Sequence, residues 1–164
     1  MGGAAVIASV IGTFFVRVRE GGAVMTALYK GIVASAILAA IAFYPITTWL
    51  MSGIKIGGKV VNTTNLYFAS LVGLVITFAI VAITEYFTSD HYNPVRKIAF
   101  AATTGHATNI IEGLAVGMQS TAIPVLVIAA GIWGAYYLGG GLYGVAIAAM
   151  AMLSMTGIIV AIDS

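Results

Sequence analysis

The chain has 164 residues, of which 61% are hydrophobic and only 7% charged, with a formal net charge of +2. Soluble domains carry about 25% charged residues, so this composition defines an integral membrane protein before any motif is considered. The small net charge and the lack of any Lys/Arg run exclude nucleic-acid binding. The absence of cysteine excludes thiolate metal sites, disulfides and a Cys nucleophile.

Apolar segments alternate with short polar ones, and they predict five transmembrane helices in an all-α fold, within a single polytopic domain covering residues 1–164. The first span, 1–16, ends at "RVREGG", where Arg17, Arg19 and Glu20 meet water and paired glycines stop the helix. With roughly 22 Å of helix against about 30 Å of hydrocarbon, it reads as the end of a longer helix. Its charges follow the apolar run, the reverse of a signal peptide. The second span, 27–51, carries Pro45 as a kink candidate and Tyr44 and Trp49 as interfacial anchors. The Gly/Lys/Asn-rich stretch "SGIKIGGKVVNTTN" belongs outside hydrocarbon. A third span, 66–84, ends in the turn signal "TEYFTSDHYNP".

Residues 98–138 contain no proper loop. As one straight helix they would reach roughly 60 Å, about twice the hydrocarbon thickness. The expectation is that the first half lies in protein or water and only "TAIPVLVIAAGIWGAYYL" crosses. The last span, 142–162, ends at "AIDS". With five alternating spans, one side holds Arg17, Arg19, Lys30, Arg96 and Lys97 and the other Lys55 and Lys59, which sets the former in the cytoplasm.

The first half of the overlong segment, "TGHATNIIEGLAVGMQST", is the most polar stretch near hydrocarbon. On a continuous helix Thr104, Gly105, Thr108, Asn109 and Glu112 share an arc of roughly 140°. Such an arc must be buried against partners, either as a packing seam or as part of an ion path. Gly113 and Gly117 form a GxxxG pair suited to close helix approach. Glu85 sits at the end of the third span, where anchoring at the interface outweighs proton relay. His91 reads as a solvated loop residue. His106 has no histidine partner one turn away, and no metal site is expected. Asp163 closes an otherwise uncharged run, either as a solvated helix end or as a functional acid near the membrane. No P-loop, GxSxG, HExxH or Rossmann fingerprint occurs.

The stretches "SVIGTFFVRVREGG", "TEYFTSDHYNPVRKIA", "TGHATNIIEGLAVGMQSTAIPVL" and "GLYGVAIAAMAMLSMTGIIVAID" resemble, in this order, a central portion of the membrane-integral, ion-translocating inorganic pyrophosphatases. The resemblance implies a homodimer of about sixteen helices per subunit, of which this chain looks like the seventh to eleventh. It implies an enzyme that hydrolyses pyrophosphate at the cytoplasmic face, with Mg²⁺ as cofactor, and moves H⁺ or Na⁺ outward across the bilayer. A bacterial inner membrane is expected in preference to a vacuole.

The family's aspartate-rich substrate motifs do not occur in these residues. The chain is therefore expected to be a fragment, inactive alone and without a complete catalytic or metal site. Asp163 matches the aspartate of a family motif near the substrate site, which makes it a near-site or ion-path candidate. Glu85, Thr104, Thr108, Asn109 and Glu112 are weaker candidates for coupling or packing. The competing reading is a small non-enzymatic five-span scaffold or channel-like subunit.

Overall fold

The computed structural model describes residues 3, 6–7, 10–11, 24–51, 55–56, 59–60, 62–155 and 159. Its helices are α1 (Val24–Met51), α2 (Thr63–Thr88), α3 (Asn93–Thr104), α4 (His106–Leu138) and α5 (Leu142–Leu153). Between α1 and α2, the two-residue strands β1 (Lys55–Ile56) and β2 (Lys59–Val60) pair antiparallel, with Lys55 opposite Val60 and Ile56 opposite Lys59. The all-α class stands, since this pairing covers only the polar connection.

Among the described residues, three stretches are long and apolar enough to cross a membrane, and they include Tyr29–Met51 and His106–Leu138. The remaining one is carried by α2, whose 26 residues reach roughly 39 Å. Most of the expected first span, together with Arg17, Arg19 and Asp163, lies outside the described residues. In the last expected span, α5 runs to Leu153, a turn at Ser154–Met155 follows, and Ile159 is helical, its N–H donating to the Met155 carbonyl at 3.2 Å. At the turn the Ser154 hydroxyl donates to the Ala151 carbonyl at 2.5 Å.

The chain divides into two compact units. The first comprises residues 1–75 and 132–164. Its core is a set of helix stripes at three- and four-residue spacing. On α1 the stripe is Ile32, Ser35, Ala36, Ala39, Phe43 and Thr47; on the first half of α2 it is Leu66, Ala69, Ser70 and Leu74. α5 contributes Ile147, Ala148 and Ala151. Small residues dominate because lipid supplies no hydrophobic drive between helices, so association rests on close van der Waals fit.

Gly73 shows this fit most clearly. A Cβ placed there would run into the carbonyl oxygen of Ala148, whose carbonyl carbon would lie at 2.9 Å. Only glycine therefore lets α2 approach the α5 backbone. Longer side chains tie the rest of the unit together. The Tyr67 hydroxyl donates to the Ala40 carbonyl at 3.3 Å, and its ring meets Tyr44 edge-on at 5.4 Å. The Tyr143 hydroxyl donates to Met51 Sδ at 3.3 Å. α1 continues through Pro45 without a break.

The second unit is residues 76–131: the latter half of α2, all of α3 and most of α4. Its one apolar side chain buried on α4 is Val116. Ile110, Ile111, Leu114, Met118, Val125 and Leu126 of α4 are all exposed. At 100° per residue these six share an arc of roughly 160°, and such an unpartnered apolar face belongs against lipid or further helices. Near the end of α2, the Tyr86 ring meets Phe87 edge-on and Tyr92 at a tilt, with ring centroids at 5.1 and 5.2 Å. Such aromatic clusters mark the headgroup level of a bilayer.

Candidate functional site: the polar break between α3 and α4

Residues 98–138 do not form one long helix, and the reason is Gly105. It adopts φ 149° and ψ 165°, a conformation essentially confined to glycine, and it separates α3 from α4. The polar arc expected on a continuous helix is thereby cut. Thr104 ends α3, while Thr108, Asn109 and Glu112 belong to the first turns of α4.

A helix break leaves carbonyls without their usual i+4 donors. Here the two threonines supply replacements. Thr104 Oγ1 lies 2.7 Å from the Ala101 carbonyl and 2.8 Å from Thr108 Oγ1. Thr108 Oγ1 lies 3.0 Å from the Ala101 carbonyl and 2.8 Å from that of Gly105. Each hydroxyl has one proton, so the pair shares two donations among these acceptors. The backbone N–H of Asn109 also donates to the Gly105 carbonyl, at 3.2 Å. These contacts bridge the break from both sides.

Two of the expected residues face differently. Asn109 Oδ1 is buried without a hydrogen-bond donor. Glu112 is half-buried and lines an open groove of about 430 Å³ with Asn93, Arg96, Lys97, Phe100, Ala101 and Thr104. Thr104 thus belongs both to the bridge and to the groove wall. Glu85 is not among the groove residues; it lies near the end of α2, where its carbonyl accepts from the Ser89 N–H at 2.9 Å. Asp163 lies outside the described residues. His91 is solvated, 82% exposed, with Nε2 at 3.8 Å from Asp90.

Sequence reasoning used Arg96 and Lys97 only as markers of orientation and missed the groove. The signal was present: positions 93, 96, 97, 100, 101 and 104 recur at three- and four-residue spacing, one face of a helix. The GxxxG pair makes no close approach among the described residues, since a Cβ on Gly113 or Gly117 would meet nothing within 4 Å.

The donor set bears on metal binding. Among the described residues no three of His, Asp and Glu come together. Hard divalent cations need six or more oxygen ligands, usually with clustered carboxylates. The described residues therefore do not fit a Mg²⁺ site.

Long apolar helices with exposed apolar flanks and few charges define a multi-pass, all-α integral membrane protein. The family described as inorganic H⁺ pyrophosphatase matches residues 1–164, and the chain belongs to it. A "Pyrophosphate-energized proton pump 2" of Rhizobium leguminosarum bv. trifolii is 47% identical over 99% of this chain and 76% of its own length. A "K(+)-insensitive pyrophosphate-energized proton pump" of Methanosarcina mazei is 46% identical over 100% of this chain. A "K(+)-insensitive pyrophosphate-energized proton pump 2" of Moorella thermoacetica is 48% identical over 98% of it. The chain spans only 24% of the length of each of the latter two. All three sources are prokaryotic, which favours a cell membrane over a vacuolar one.

Proposed function

We propose that this chain is the central part of a pump that hydrolyses pyrophosphate at the cytoplasmic face and drives H⁺ outward. The observation that carries this reading is the match of the whole chain to the family, together with relatives 46–48% identical that are named as proton pumps. Those names favour H⁺ over Na⁺. Within the pump this section is a scaffold, and hydrolysis is done by residues beyond those described. Mg²⁺ belongs to the reaction because it would neutralise pyrophosphate, but no step through it is assigned to these residues. Asp163 is the candidate nearest the substrate, acting electrostatically or along the ion path. Thr104, Thr108, Asn109, Glu112 and Glu85 are the weaker candidates, for coupling or packing. A homodimer in the bilayer, with the Arg96–Lys97 side cytoplasmic, completes the reading.

The test uses inverted membrane vesicles containing the intact pump. Adding pyrophosphate should release phosphate and acidify the lumen, and a protonophore should abolish the acidification but not the hydrolysis. Phosphate release with no ion movement of any kind would refute the pump. The 164-residue chain alone should release no phosphate in Mg²⁺ and pyrophosphate; measurable release would refute the scaffold assignment.

A further inference from the structure

The groove on α3 has a charge pattern that its role in bridging the helix break leaves unexplained. Its lining brings Arg96 and Lys97 of α3 together with Glu112 of α4. Asn93 and Thr104 add polar groups, while Phe100, 73% exposed, and Ala101 form an apolar strip. Arg96 Nε donates to the Asp90 carbonyl at 3.2 Å, which holds the guanidinium at the groove edge and leaves its terminal N–H groups for another acceptor.

Depth in the membrane follows from two independent features. α3 has 12 residues, roughly 18 Å, too short to span, and carries adjacent cations that hydrocarbon would not tolerate. Immediately before it stands the Tyr86–Phe87–Tyr92 cluster, the side-chain type of the headgroup layer. A short helix with cations on one face and an exposed Phe lies in the interface plane.

We infer that this groove binds the headgroup of a phospholipid bearing both a phosphate and a primary ammonium, of the phosphatidylethanolamine class. The phosphate takes the Arg96 and Lys97 donors, since a guanidinium presents two parallel N–H groups to it. The ammonium donates to the Glu112 carboxylate in the same groove, and Phe100 and Ala101 lie along the first carbons of the acyl chains. Glu112 decides the class. A purely anionic headgroup would bring its charge towards that carboxylate, and a quaternary ammonium has no N–H to donate.

The test takes the solubilised, delipidated protein and offers phosphatidylethanolamine, phosphatidylcholine and phosphatidylglycerol of identical acyl chains, counting adducts by native mass spectrometry. Wild type should retain the ethanolamine lipid over the choline lipid by about fivefold, the scale of one half-exposed ion pair. Arg96→Gln with Lys97→Gln should abolish retention of both, Glu112→Gln should remove the ethanolamine preference alone, and Lys30→Gln, a cation outside the groove, should change nothing. Equal retention of ethanolamine and choline lipids by wild type would overturn the inference without recourse to any variant. So would stronger retention of the glycerol lipid, or displacement by millimolar inorganic phosphate, which would mark a soluble anion as the occupant.

Discussion

Replacing Gly73 with alanine isolates one helix contact. The added Cβ would overlap the Ala148 carbonyl oxygen, with the carbonyl carbon at 2.9 Å and Cα at 3.1 Å. All three atoms are backbone, so no rotamer change relieves the clash, and α2 and α5 must separate. Carbon contacts are optimal near 3.5–4.0 Å, and a gap of roughly 0.5–1 Å at the surrounding atoms forfeits a quarter to a half of each well. Overpacking of this kind destabilises by about 1–3 kcal/mol.

The same substitution also raises helix propensity by about 0.8–1.0 kcal/mol, which would mask part of the effect. Gly117→Ala is the matched control: it is also inside a helix, and its Cβ would meet nothing within 4 Å. The difference between the two variants removes the propensity gain. Unfolding in mixed micelles with increasing SDS, followed by helical circular dichroism, should place Gly73→Ala about 1–3 kcal/mol below Gly117→Ala. Equal midpoints for the two would refute the close approach of α2 to α5.

Gly105→Ala forces a side chain into a backbone region essentially reserved for glycine and should cost about 1–3 kcal/mol, read as faster amide exchange across α3 and the start of α4. Thr108→Val keeps the shape but removes a hydroxyl shared between the Ala101 and Gly105 carbonyls, for a loss of about 0.5–1.5 kcal/mol in SDS unfolding; Thr108→Ser should restore most of it in the same assay. Asp163→Asn in the intact pump should lower hydrolysis or the ratio of protons moved to phosphate released. Unchanged values of both would remove Asp163 from the candidates.

Several features could be read from residues alone because they follow from local chemistry. Long apolar runs with few charges require helices in a bilayer, since no other open structure satisfies its own backbone there. The ordered motifs around "TGHATNIIEGLAVG" pointed to the family that the whole chain matches. The buried stripe on α1, Ile32 through Thr47, follows the helical period in the sequence itself. Less legible was the break at Gly105. Isolated glycines occur inside helices as well as at breaks, and Gly113 and Gly117 lie within α4 while Gly105 ends α3. A 100° wheel therefore put Thr104 and Thr108 on one arc of a single helix, when they close a gap between two.

What the sequence by itself determined is the solvent this protein lives in and the family it belongs to. Both rest on quantities summed over many residues: apolar length, sparse charge and the order of extended motifs. Tertiary structure decided the meaning of single positions. It made Gly73 the point where two helix backbones approach and left Gly117 open, and it set Glu112 in one groove with Arg96 and Lys97. The physical reason is that a side chain's neighbours depend on the path of the backbone. One residue outside the helical region redirects that path for every residue beyond it.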